Sequence, residues 1–180
     1  MKRNSHARLL PRYTYEDYKL WEGDWELIEG LPVALSPSSG FSHQKISGAL
    51  YTPLNLKLKE CPNCHALYEI DWIVSEDTVV IPDIMVIWHE PQGEYITKAP
   101  EIIFEVVSRF TAQKDERIKY ELYEKEGVKY YGLVYPEFKV AKIYKLEDRR
   151  FVKLCDASQE PVEFLLNTCN FNIDFRIIWY

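Results

Sequence analysis

The chain has no run approaching the ~18 consecutive apolar residues that a membrane-spanning helix needs, which excludes that class of membrane protein. Its start, Met1-Lys2-Arg3-Asn4-Ser5-His6-Ala7-Arg8-Leu9-Leu10, is basic but holds no apolar stretch of signal-peptide length. The sequence therefore reads as cytoplasmic, with its four cysteines reduced. An excess of basic charge is also missing: 22 Lys and Arg stand against 28 Asp and Glu, for a net charge of −6. As a whole such a chain repels phosphate-rich partners, so nucleic-acid binding must rest on a local basic patch or on bound cations. Repeats, linkers and low-complexity tracts are absent, and no Ser–His or Cys–His arrangement points to a covalent nucleophile. No separate DNA-reading domain is recognisable.

Cysteine spacing carries little chemistry. Cys61-Pro62-Asn63-Cys64-His65 has the C-x-x-C-H form of a haem attachment site, but that chemistry requires export. A zinc site needs a second ligand pair, whereas Cys155 and Cys169 stand alone. The segment reads as a turn before a strand. What the chain does have is 47% hydrophobic residues, with 13 Tyr, 8 Phe and 5 Trp. That composition excludes disorder and favours a β-containing core within one domain spanning residues 1–180.

Thr14-Tyr15-Glu16-Asp17 has capping-box spacing ahead of a short helix, and residues 25–35 form a hairpin around Glu29-Gly30. Ser36-Pro37-Ser38-Ser39-Gly40 is a loop. From Ser42, the four-residue spacing of Ile46, Leu50, Leu54 and Leu58 marks an amphipathic helix, which Pro53 should kink or interrupt. Strand-like alternation follows over residues 66–74, 79–81 and 83–88, then a loop from Pro91 to Pro100. Residues 102–107 read as a strand covered on both faces. A helix over 112–126, stopped by Gly127, leads to strands over 128–134, 139–146 and 150–154, with one more in the tail from Phe171. The sum is an α+β domain with a mixed sheet and at least two helices.

Two carboxylates stand out because they end apolar segments: Asp83 in Ile81-Pro82-Asp83-Ile84-Met85-Val86-Ile87-Trp88, and Glu105 in Ile102-Ile103-Phe104-Glu105-Val106-Val107-Ser108. Desolvation penalises a charge in such a setting, so each needs a partner, a metal or a raised pKa. The pair reads either as a divalent-metal site or as two independently satisfied strand-end acids. A hard ion such as Mg²⁺ takes oxygen ligands, which Asp83, Glu105 and the backbone carbonyl of Val106 can supply.

Pro82-Asp83, Glu105-Val106-Val107-Ser108 and Asp115-Glu116-Arg117-Ile118-Lys119-Tyr120-Glu121-Leu122-Tyr123 together resemble the PD-(D/E)XK nuclease superfamily. The branch they resemble is the restriction-endonuclease-like Uma-two family. Trp25-Glu26-Leu27-Ile28-Glu29-Gly30, Ser42-His43-Gln44 and Gly127-Val128-Lys129-Tyr130-Tyr131 agree, in the same order. The resemblance implies a restriction-endonuclease-like core, an α/β/α-like mixed sheet flanked by helices, with an added N-terminal helix and hairpin. It also implies a Mg²⁺- or Mn²⁺-dependent endonuclease acting on DNA, with Asp83 and Glu105 as metal ligands, and a homodimer whose two sites address two strands. Val107 stands where the superfamily's motif lysine belongs. In this branch the lysine comes from the following helix, at Lys119, with Lys114 as the alternative. Asp115, Lys119 and Tyr123 share one helical face, although Lys119 paired with Asp115 on a solvated face fits the same spacing. Glu26 matches an acidic position near the site, where it would bind a second ion or orient a water. His43 would face phosphate, and Ser108, Arg109, Lys114 and Arg117 would contact the nucleic-acid backbone. The rival reading is a binding or assembly module that keeps the fold without turnover, for which the missing lysine at position 107 and the acidic net charge both speak.

Overall fold

The computed structural model describes residues 10–35, 40–89, 91, 93–167 and 169–179. Most of the basic N-terminal segment and the Ser36–Ser39 part of the expected loop lie outside these. Among the described residues no helix is long and apolar enough to cross a membrane.

The short helix α1 (Tyr15–Tyr18) starts at the expected cap, where Asp17 Oδ2 accepts the Thr14 N–H at 2.8 Å. Strands β1 (Trp25–Ile28) and β2 (Leu31–Ala34) form the hairpin, turning through Glu29 and Gly30, both at positive φ. Helix α2 (Phe41–Leu58) is a single helix that includes Pro53, so the expected interruption does not occur. Proline in a helix interior costs about 3 kcal/mol. Here Leu50, Leu54 and Leu58 are buried on both sides of it and hold the helix to the sheet.

The expected strand over 66–74 is two strands, β3 (Cys64–Tyr68) and β4 (Trp72–Ser75), in different sheets. The chain breaks at Glu69, a non-glycine residue with φ 46° that no local turn signal announces. β5 (Thr78–Val80), β6 (Ile84–Trp88) and β7 (Ile102–Val106) follow. The helix after β7 opens as a π-helical segment, Lys114–Lys119, and continues as α3 (Tyr120–Glu126), ending at the left-handed Gly127. Then come β8 (Tyr130–Tyr135), a 3₁₀ turn Pro136–Phe138, β9 (Val140–Glu147) and β10 (Arg150–Ala157). The tail holds a hairpin rather than one strand, β11 (Pro161–Leu165) with β12 (Asn170–Asp174).

The central sheet has the order β10-β9-β8-β7-β6-β3, with β7 and β8 parallel and the other pairs antiparallel. One face packs under α2 and the C-terminal hairpin through Ile84, Val86, Phe104, Val134 and Ile143. The opposite face, through Met85, Ile87, Ile103, Tyr131 and Leu133, packs against Tyr123, Trp72 and Val80. A smaller sheet, β2-β1-β5-β4, supplies that second layer. On the first face Gly132 lets the Phe104 ring lie against the backbone of β8; a Cβ there would overlap Cδ1 and Cε1 of that buried ring. Gly132→Ala is expected to destabilise the protein by roughly 1–3 kcal/mol, measured by urea unfolding, since the ring has no free space to retreat into.

The expectation of four reduced cysteines is corrected: Cys61 and Cys169 form a disulfide, while Cys64 and Cys155 remain thiols. The sequence hid the pairing because the two cysteines are 108 residues apart. They meet only when the C-terminal hairpin docks against the turn after α2.

Candidate active site

Strand parity and register bring the two acids together. Along β6 and β7, Ile84, Val86, Phe104 and Val106 point into the α2 face, so Glu105 belongs to the opposite one, while Asp83, just ahead of β6, stands at the end of the sheet. Ile84 pairs with Phe104, and one step further along that antiparallel register Asp83 stands across from Glu105. The Asp83 N–H points at Glu105 Oε2 over a long 3.4 Å. Asp83 Oδ2 accepts the Val106 N–H at 2.6 Å and lies 3.0 Å from His43 Nε2. Amide and carbonyl of one strand residue face the same neighbour, so the Val106 carbonyl is on the Asp83 side too.

Lys119 is the hub. Its Nζ lies 2.8 Å from Glu105 Oε1 and 2.7 Å from Glu26 Oε1, with the side chain only 2% exposed. Tyr123, one helical turn on, donates its hydroxyl to the same Glu105 Oε1 at 2.8 Å. Asp115, Lys119 and Tyr123 are all buried, as expected of one inward face; the solvated Lys119–Asp115 pair is excluded. Glu26 on β1 is wholly buried, and its two oxygens take the Ile81 N–H at 2.9 Å, Lys119, and Lys114 at 2.8 Å. So Glu26, expected to bind a second ion or orient a water, instead fixes the two lysines.

Charge is balanced unevenly. Burial pushes the Glu105 carboxyl up to about 8; Lys119 draws it down only in part, and Asp83, Asp115 and Glu26 oppose ionisation. Burial also works against ionised Glu26, but Lys119 and Lys114 together hold it below the usual carboxylate range. The Lys119 ammonium is disfavoured by burial, yet Glu105, Glu26 and Asp115 outweigh that and hold its pKa well above normal. Burial lowers the His43 pKa, but its contact with Asp83, together with the charges of Glu69 and Asp115, outweighs that and raises it.

Other expected residues are placed differently. Lys114 is paired with Glu26 and 15% exposed, so its donor points inward rather than at a phosphate. Ser108 Oγ accepts the N–H groups of Phe110 and Thr111, building the turn that leads into the helix. Arg109 is at the surface in an ion pair with Glu137 at 3.5 Å, and Arg117 is exposed. The sequence reading missed Glu69. The β3–β6 register, Tyr68 opposite Ile84, carries Glu69 to Asp83, and the Glu69 N–H donates to the Asp83 carbonyl at 3.3 Å. His43, Glu69 and Asp83 each offer a ligand atom, and these atoms lie within 4.8 Å of one another. Tyr123 was seen as sharing the face of Lys119 but not as a partner of Glu105. Carboxylates, a backbone carbonyl and one imidazole form an oxygen-rich donor set that suits a hard divalent cation such as Mg²⁺ or Mn²⁺.

The sequence model of a family described as "Uma2: Putative restriction endonuclease" matches residues 15–173. A solved structure described as "a putative nuclease belonging to DUF820 from Anabaena variabilis" is similar, with a TM-score of 0.72 and 18% identity. The likeness covers 92% of this chain and 97% of that one, and it establishes a shared fold. No curated protein matches the chain.

Proposed function

The chain belongs to the Uma2 family, and on that premise we propose that it is a divalent-metal-dependent endonuclease that hydrolyses phosphodiester bonds in DNA. The observation that carries this reading is the register that sets Asp83 opposite Glu105 while Lys119 reaches Glu105 from the following helix. Lys119 so placed would stand in for the lysine absent at position 107, which speaks against an inactive module. Asp83 and Glu105 would hold the ion, with Glu69 and the Val106 carbonyl as further oxygen donors. A divalent ion held there would supply charge against the phosphate oxygens and acidify water.

The chain's own residues do the rest. His43 and the Val106 amide fix the rotamer of Asp83. Tyr123 and Lys119 hold Glu105 through Oε1, leaving Oε2 turned toward Asp83. The Lys119 ammonium, kept charged by Glu26, adds positive potential where negative charge gathers on the phosphate. Water would attack phosphorus directly as the P–O bond to the leaving oxygen breaks, and no covalent enzyme intermediate is needed. We take the working unit to be a homodimer, with one site for each strand.

Wild-type protein is expected to nick supercoiled plasmid with Mg²⁺ or Mn²⁺ and to stop in EDTA. Failure with both ions would favour the binding or assembly module, for which the net charge of −6 also speaks.

A pH dependence follows from Glu105. Its carboxyl at about 8 lies above the ordinary 4.5, so its contribution to stability is complete below that lower value and is lost as pH rises through about 8. An ion needs the carboxylate and so must displace this proton. Below about pH 8 the metal affinity is expected to rise about tenfold per pH unit and then to level off. Calorimetric titration across this range in buffers of different ionisation heat would check it; an affinity independent of pH would contradict it.

A further inference from the structure

We propose that Phe41, Phe110 and Phe138 form a stacking platform for the unpaired bases of single-stranded DNA at the mouth of the candidate active site; the proposal rests on the nuclease reading. These rings are 86%, 82% and 73% exposed, while the chain's other phenylalanines, at positions 104, 151, 164, 171 and 175, are all buried. The exposed ones therefore follow a spatial rule. Phe41 is the first residue of α2, two before His43, whose Nε2 touches Asp83. Phe110 stands in the turn after β7, the strand that carries Glu105. Phe138 ends the 3₁₀ turn after β8, which runs parallel to β7 and so leaves the sheet at the same end.

Contacts tie the three segments together. The Arg109–Glu137 ion pair, 3.5 Å long, joins the neighbours of Phe110 and Phe138, and α2 packs against the 3₁₀ turn. Three large apolar rings held in water beside the candidate site bury little of themselves, Phe138 meeting the Tyr135 ring at 6.4 Å. They are suited to bases, because every base presents a π-face and stacking on an aromatic side chain tolerates any sequence.

Charge argues for a single strand over a duplex. Arg109, Arg117 and Lys139 are exposed at or near these turns, but so are Glu116 and Glu137, on a chain of net charge −6. A duplex, with its doubled phosphate density, relies on cationic contacts that this surface offers sparsely. A single strand gains from stacking what it lacks in ion pairing.

The test is fluorescence anisotropy in EDTA with a labelled oligo(dT) of about 20 nucleotides and a duplex of similar length. Wild type is expected to bind the single strand more tightly. Phe110→Ala/Phe138→Ala should weaken that binding about tenfold or more and leave duplex binding nearly unchanged. Phe110→Trp/Phe138→Trp should keep it, and circular dichroism should show all variants folded, since the rings are exposed. Duplex binding equal to single-strand binding, or an alanine variant that binds the single strand as wild type does, would overturn the platform while plasmid nicking still upheld the nuclease reading. No binding of either DNA together with no nicking would overturn both. Self-association abolished by the alanine variant, with DNA binding unchanged, would assign the rings to a second copy of the chain and likewise overturn the proposal.

Discussion

Lys119→Met is expected to eliminate metal-dependent cleavage and, above about pH 8 where Glu105 is ionised, to cost about 3–5 kcal/mol of stability, the usual penalty for removing one partner of a buried ion pair. The side chain is wholly buried between two carboxylates that are themselves buried, at 2.7 and 2.8 Å. Methionine fills much the same volume but returns no charge. Glu26 would keep Lys114 as its counterion, whereas Glu105 would keep only the Tyr123 hydroxyl and a long contact to an amide. Glu105 should then stay protonated to a still higher pH. At that pH, adding Glu105→Gln in the same chain is expected to recover a large part of the lost stability, because the amide needs no cation; denaturant unfolding of both singles and the double gives the coupling. Cleavage should not return. If Lys119→Met unfolds like wild type, the buried triad of Glu26, Lys119 and Glu105 does not exist as described.

Asp83→Asn and Glu105→Gln are each expected to reduce Mg²⁺-dependent nicking by at least about a hundredfold, the lower range for losing preorganised charge at a reacting centre. Both replacements preserve shape. In Asp83→Asn the side-chain amide oxygen can still accept the Val106 N–H, and in Glu105→Gln the amide oxygen can still accept from Lys119 and Tyr123. What each removes is anionic charge. Thermal unfolding should therefore move far less than activity. Glu105→Gln should even stabilise the metal-free protein above about pH 8, where the wild-type carboxyl must ionise in the interior. A variant that nicks at the wild-type rate would end the assignment of that residue.

The central pair was legible because parity and desolvation act locally. An acid at the end of an Ile/Val/Phe segment announces a buried charge before any fold is known, and two such segments close in sequence tend to pair. The inward face of Asp115, Lys119 and Tyr123 could likewise be read from helical spacing, even though the helix opens in π geometry. Features that depend on long-range placement could not be read. Glu69 joins the site only through the β3–β6 register, and its left-handed backbone carries no glycine signal. Glu26 and Lys114 meet across 88 positions, so an expected ion ligand and an expected phosphate contact turn out to satisfy each other. Pro53 argued against a continuous helix on propensity alone, and burial of the leucine stripe outweighed it. The β11 strand escaped notice because its alternation, Val162 and Phe164 inward, is short and follows a polar turn.

Calorimetric titration of Mn²⁺ into wild type and Asp83→Asn, above about pH 8 so that the Glu105 proton does not compete, tests the shared ion most directly. Wild type is expected to take up the ion in a saturable transition that Asp83→Asn weakens at least about tenfold, as the loss of one carboxylate ligand requires. Equal affinity in the two proteins would contradict the site.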